Sequence, residues 1–253
     1  ENNLVAANRV NRKFENQFVK IGNSLTIRKP NRFTVASGAG LQIQNIAEPS
    51  VSITIDQQKH VDFQFTSSDL TLTVEEFSER YLKPAMAGLA NQIDYDVLQN
   101  FKGISNAVGT PGTTPAAFST SVLLVGQRQD ENAAPQDNRT LVLNPAAYWA
   151  IANGLSGSYV MPTAKDAVVK GYLSTIGNYD VYMDQNVPTT SSYIHTSTNA
   201  LVSSAPATQS GSSISTVGFN ANDVFQIGEV VTFGGVFAIN PQSRQSTGQL
   251  KNF

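Results

Sequence analysis

Between residues 17 and 72 apolar and polar positions alternate. Val19, Ile21, Leu25 and Ile27 fall on one side of the alternation, as do Val51, Ile53 and Ile55, and then Val61, Phe63 and Phe65. A period of two places one apolar face on each strand, so this stretch predicts β structure. Between the first strand and the later ones lies Ala36-Ser37-Gly38-Ala39-Gly40, too poor in apolar bulk to be a core segment. The whole stretch reads as a long hairpin of two arms. An arm of that kind has little core of its own, is marginal alone and gains stability by lying on a neighbouring surface.

The period then changes from two to about four. Phe77, Tyr81, Ala85, Leu89, Ile93, Val97 and Phe101 recur at that spacing, with Leu82, Met86 and Leu98 beside them. This predicts a helix that opens at a capping box, Thr73 with Glu76, and stops at Gly103. At 1.5 Å per residue it would be roughly 40 Å long. Pro84 falls well inside and, lacking a backbone donor, should bend the axis.

From residue 114 the pattern is mixed. Thr114-Pro115 reads as a cap with proline at the first helical position, and Phe118, Val122, Leu123 and Val125 supply that helix's expected buried face. Arg139-Thr140-Leu141-Val142-Leu143 reads as a short buried strand. Asn144-Pro145 opens another helix through Tyr148, Trp149 and Ile151 to Gly154. Tyr172 to Tyr182 alternates around Gly177, a hairpin that leaves through Asp184-Gln185-Asn186-Val187-Pro188. Residues 189 to 216, rich in Ser, Thr and Ala, have the composition of a loop or surface insertion. Val224 to Gly228 and Val230 to Ile239 follow as a glycine-punctuated β segment.

Composition narrows the functional classes. With 253 residues a sizeable core can be buried. Charged residues are only 14% and the net charge is -2, which points away from a basic nucleic-acid binder or an acidic tail and suits extensive protein contacts. The absence of cysteine removes disulfides, thiolate zinc sites and thiol nucleophiles together. No apolar run approaches the ~20 residues that span a bilayer. The chain starts at Glu1 and stops at Leu250-Lys251-Asn252-Phe253 without a closing turn, and so reads as a fragment lacking both ends.

Candidate chemistry is sparse. The two histidines, His60 and His195, sit in a polar inter-strand stretch and in the Ser/Thr-rich stretch, where solvated side chains are expected. Asp94 and Asp96 are two apart on a helix, point to different faces and read as a solvated flank. Glu75, Glu76 and Glu79 lie in the first helical turns, where they complement the helix dipole. Gly109-Thr110-Pro111-Gly112 lacks the lysine and the strand-to-helix setting of a phosphate loop. Arg28, Lys29 and Arg32 surround Pro30 on the first arm. They serve either as edge protection against runaway pairing or as ion-pair partners for the acidic helix start, Glu75, Glu76 or Glu79, of a neighbouring subunit.

Several blocks resemble the major capsid proteins of short-tailed bacteriophages of the P-twenty-two type. Phe18-Val19-Lys20-Ile21-Gly22 and Thr26-Ile27-Arg28-Lys29-Pro30-Asn31-Arg32-Phe33 are similar to that family's N-terminal arm entering its extended loop. Asp56 to Phe63 and Phe77-Ser78-Glu79-Arg80-Tyr81-Leu82-Lys83-Pro84-Ala85 are similar to its returning arm and spine helix, and the likeness continues through Gly171 to Pro188 and ends at Gln245 to Leu250. The resemblance implies an α+β, HK-ninety-seven-like capsid fold. Its expected parts are an N-arm (1–16), an extended β-hairpin loop (17–72), a peripheral domain with the spine helix (73–113), an axial domain (114–190), and an incomplete β-rich insertion and return segment (191–253). It also implies a structural protein of the virion, assembled in the bacterial host cytoplasm into an icosahedral shell around double-stranded DNA. Its partners would be copies of itself in pentamers and hexamers, scaffolding and portal proteins, and DNA held non-specifically, with no cofactor, metal, membrane, small-molecule substrate or catalysis. Covalent subunit crosslinking, which belongs to other branches of the fold, is not carried over. The subunit-interface candidates are Arg28, Lys29, Arg32, Leu41, Ile43, Ile46, Glu75, Glu76 and Glu79. The rival readings are an encapsulin-type compartment shell and, from the Ser/Thr-rich C-terminal part, a β-rich adhesin or receptor-binding module.

Overall fold

The computed structural model describes residues 4–16, 23–31, 33–46, 48–62, 64, 74–110, 112–115, 118–155, 173, 175–189, 200–203, 209–220 and 223–253. They form two units, residues 9–89 and residues 1–8 with 90–253.

In the first unit, β1 (Ser24–Arg28) pairs antiparallel with β2 (Ser50–Thr54), Leu25 opposite Ile53 and Ile27 opposite Val51. These four side chains share one face of the ribbon, and Ser24, Thr26, Ser52 and Thr54 share the other. The strands are shorter than the alternation predicts. Ile55 and Val61 continue the pattern but lie beyond the ladder, while Val19, Ile21, Phe63 and Phe65 fall outside the described residues. Past the ladder the Lys29 N–H still donates to Pro49 O at 2.8 Å. Gln44 then bridges the loop with its side chain, accepting from Thr34 N–H at 2.8 Å and donating back to Thr34 O. Gly38, at φ +100°, supplies the left-handed conformation near the tip.

The long helix forms where the four-residue spacing places it: α1 (Val74–Phe77), a π-helical stretch (Ser78–Leu82), α2 (Lys83–Gln99) and a closing 3₁₀ turn (Asn100–Gly103). Thr73, the expected cap, is outside the described residues. Pro84 has an effect more specific than the expected bend. Its ring crowds the carbonyl four residues back and offers no N–H, and the turn ahead of it is widened so that Lys83 N–H donates to Ser78 O five residues away.

In the second unit, α3 (Phe118–Glu131) precedes β3 (Thr140–Leu143), α4 (Pro145–Leu155), β4 (Thr175–Ile176) and β5 (Tyr179–Met183). The sheet order is β3-β5-β4, with β3 parallel to β5 and β4 antiparallel to it. Parallel neighbours need a crossover, and α4 lies between them in sequence. Asn144 stops β3 and caps α4, its Oδ1 accepting from Ala147 N–H at 2.8 Å, with Pro145 at the first helical position. Asn144→Ala should lower stability by about 1 kcal/mol, read as a small drop in thermal midpoint with an unchanged spectrum. Gly177 and Asn178, at φ 53° and 72°, make the two-residue mirror-image turn that suits a tight hairpin between β4 and β5.

The core of this unit is Val122, Leu143, Ala147, Tyr148, Ile151, Ala152, Leu173, Ile176, Tyr179 and Val181. Val122 and Val125 face it from α3. Leu123, expected beside them, is exposed instead, because a helical face that presents positions 122 and 125 turns positions 123 and 124 outward. Arg139 locks the start of β3. It donates to Asp130 Oδ1 at 2.7 Å, Ala134 O at 3.1 Å and Pro135 O at 2.9 Å, and its guanidinium carbon lies 5.7 Å from the centre of the Tyr179 ring. The hydrogen bond to Asp130 raises the pKa of Arg139 above its already high ordinary value.

Among the described residues two further antiparallel pairs belong to the unit, β6 (Leu201–Val202) with β7 (Thr216–Val217) and β8 (Thr232–Ile239) with β9 (Ser246–Asn252). Val224 to Gly228 is not a strand; it ends in a turn at Ile227-Gly228. Asp94 departs furthest from expectation. It is not a solvated flank but is 0% exposed, because its carboxyl accepts the backbone N–H groups of Val5, Ala6 and Ala7 at 3.1, 3.2 and 2.7 Å.

Candidate subunit-contact surface

Among the described residues no cluster of three or more His, Asp or Glu side chains is arranged to hold a metal ion, and no helix is long and apolar enough to cross a membrane. His60 lies 3.1 Å from Asp62 in an exposed pair, and His195 is outside the described residues. Gly109 and Gly112 both adopt positive φ, and Thr113 closes the turn onto Thr110 O. That is a local turn, and its own residues Gly109, Thr110, Gly112 and Thr113 include no lysine or arginine.

The arm is different because of what it leaves uncovered. Beyond the ladder the described residues between 29 and 49 form no strand or helix, and their apolar side chains are left in the open. Phe33, Val35, Leu41, Ile43 and Ile46 are all exposed, Leu41 at 88%, Ile43 at 83% and Ile46 at 71%. The ribbon's apolar face is itself only partly covered: Leu25 is buried, whereas Val51 and Ile53 stay exposed. Scattered apolar residues on a surface are ordinary, but a contiguous set on one segment marks a contact surface.

The charged candidates divide. Arg28 Nη1 sits 2.8 Å from Glu48 Oε2, so this cation already has an acid on the opposite arm. An exposed pair of this kind contributes about 0 to 1 kcal/mol and holds the loop's base together more than it stabilises the unit. Glu79 pairs with Lys83 at 3.1 Å, one turn along the helix. Lys29, Glu75 and Glu76 are exposed, and Arg32 lies outside the described residues. Glu48, which carries no signal in the sequence, is the partner that matters for Arg28; it stands close to the mirror position of Arg28 about the loop, a cue that becomes visible only once the register is known.

No protein-family model and no curated protein matches the chain. Solved structures do. A chain from a structure of Mycobacterium phage Che8 superposes with a TM-score of 0.59 at 22% identity, over 74% of this chain and 71% of that one. A chain from the capsid structure of the cyanophage P-SCSP1u matches with a TM-score of 0.49 at 16% identity, over 66% of this chain and 60% of that one. The fold is shared with the Che8 chain. It is α+β, with one long helix, a small mixed sheet and paired antiparallel strands.

Proposed function

We propose that this chain is a shell-forming coat protein of a tailed bacteriophage, with the HK-ninety-seven-like arrangement and closest in kind to the P-twenty-two type. The observation that carries this reading is the arm: a β ribbon continued by an irregular loop whose large apolar side chains face solvent. A lone two-stranded ribbon is marginal in water, and exposing Leu41, Ile43 and Ile46 has no benefit to a monomer. The fold shared with the Che8 chain supports the same reading, as do the blocks of sequence that resemble P-twenty-two-type coat proteins.

In this proposal the loop lies across an adjacent copy, whose surface covers the apolar side chains, and residues 114–190 meet around the centres of pentamers and hexamers. Each interface contributes modestly, and closed symmetry multiplies it over the shell. A net charge of -2 lets the interior enclose DNA without gripping it. The residues committed to the contact are Leu41, Ile43 and Ile46, with Lys29, Arg32 and the helix-start acids Glu75, Glu76 and Glu79 at its polar margin; Arg28 acts through Glu48.

The chain expressed alone, viewed by negative-stain electron microscopy and sized by sedimentation, should form closed particles of uniform diameter. A monomer at high concentration, or open fibres that bind glycans, would instead support an adhesin and refute the shell.

A further inference from the structure

Two acidic side chains in the second unit are held away from water against each other. Asp94 of α2 is 0% exposed, and Asp184, immediately after β5, is 6% exposed. Asp94 is fully engaged: Oδ2 accepts from Val5 and Ala6 N–H, and Oδ1 accepts from Ala7 N–H at 2.7 Å. Asp184 Oδ1 accepts from Asn186 N–H at 2.8 Å, but its buried Oδ2 finds no donor. The turn that carries it is fixed to the helix by a second bond, Asn186 Nδ2 to Asn91 Oδ1 at 2.7 Å, about one helical turn from Asp94. Two ionised carboxylates offer acceptors only, and a buried acceptor pair with nothing between is costly. The two side chains are nevertheless within hydrogen-bonding reach of each other.

The geometry points to a proton-binding site in which Asp184 carries a hydrogen that it donates to Asp94, and this one proton latches both the Val5–Ala7 segment and the turn after β5 onto the long helix. The site is built from three elements. The N-terminal segment brings the amides of Val5, Ala6 and Ala7; α2 brings Asp94 and the neutral Asn91; the turn brings Asp184, the Asn186 N–H and the neutral Asn186 side chain. Among the described residues none of the groups that act on either carboxyl is cationic, so a proton, not a lysine or arginine, neutralises the pair.

The titration behaviour follows from the same contacts. Burial, then the bond to Asp94 and the repulsion of its charge, raise Asp184 from 3.8 to about 6 against the opposing Asn186 N–H. Burial would also raise Asp94, but the bond from Asp184 and the amides of Ala7, Ala6 and Val5 overcome it and hold Asp94 below its ordinary value. An acid raised on folding contributes stability that is fully present below 3.8 and is lost as pH rises through about 6. Asp94 contributes in the opposite sense and fails only as pH falls through its lowered value. The pair titrates as a unit, holding one proton in mild acid, and the latch loosens above about 6.

The test is hydrogen exchange in the full chain, followed by mass spectrometry on a peptide containing Val5, Ala6 and Ala7, across acid to mildly alkaline pH and corrected for intrinsic rates. A move from 3.8 to about 6 corresponds to roughly a 100-fold rise in opening once Asp184 ionises. Asp184→Asn supplies a permanent N–H donor and should flatten the profile. A flat wild-type profile, or a rise that survives in Asp184→Asn, would overturn the proposal, as would protection restored at alkaline pH by millimolar magnesium or calcium, which would mark a cation site. If Asp184→Asn does not fold, the wild-type midpoint decides: about 6 sustains the site and 3.8 refutes it. None of these outcomes depends on whether the chain assembles.

Discussion

Replacing Leu41, Ile43 and Ile46 together by aspartate is expected to leave the folded subunit intact and abolish assembly. The three side chains are 88%, 83% and 71% exposed, so the subunit has almost no packing to lose there. Exposed substitutions of this kind usually change stability by no more than about 0.5 kcal/mol each. At a contact with a neighbour the arithmetic reverses. Each apolar side chain contributes on the order of 1.5 to 3 kcal/mol when fully buried, less the ordering of the loop, and each new carboxylate would have to be desolvated. Even a net loss of about 4 kcal/mol per contact corresponds to roughly a 1,000-fold rise in the concentration needed to associate. Circular dichroism should give a melting curve close to wild type while sedimentation velocity shows subunits only. Particles at the wild-type concentration would mean that the loop is decoration, not a contact.

The second large effect is on folding. Ile151→Ala should destabilise the second unit by about 2 to 5 kcal/mol, lowering its thermal midpoint by on the order of 10 °C. Ile151 is 1% exposed on the inner face of α4, within the cluster that includes Val122, Leu143, Leu173 and Tyr179. Truncation removes apolar contact and leaves a cavity that the two-sided packing of helix and sheet cannot close. Trp149, two positions earlier, is the control. It is large but 56% exposed and meets Tyr148 edge-on, 5.9 Å between ring centres, so Trp149→Ala should cost far less despite removing more atoms. Equal losses at the two positions would show that side-chain size, not burial, governs this helix.

What the sequence made legible was local. The junction at Asn144-Pro145 could be read directly because cap and proline act within one turn, and the long helix because its apolar spacing repeats through Phe101. The β alternation around Leu25 and Val51 likewise fixed which side chains share a face. Contacts made at a distance left no such mark. Asp94 is buried by amides 87 to 89 residues away, in a segment with no periodicity to announce it, and an aspartate two positions from another on a helix looks like solvent-facing charge. In the sequence Arg139 shows only as the first residue of a strand, although its partners Asp130 and Tyr179 make it a clamp between elements. Val224 to Gly228 shows the limit of composition: its residues are apolar and β-favouring, yet the segment is not a strand, and Phe225 packs its ring edge-on to Phe219 at 5.1 Å between centres. The arm's poverty in core was legible from the small residues at 36–40, and Leu41, Ile43 and Ile46 beside them are exposed.

The central claim is that a second copy covers the arm, and the chain's own composition supplies the means to test it. It contains no cysteine, so a single Ile43→Cys variant reports on one site with no background. Its rate of reaction with a maleimide should be that of a free thiol in dissociated subunits and be strongly suppressed in intact particles, returning when the particles are taken apart. Equal rates in the two states would contradict the account, because the loop would then remain as uncovered in the shell as it is in the lone subunit.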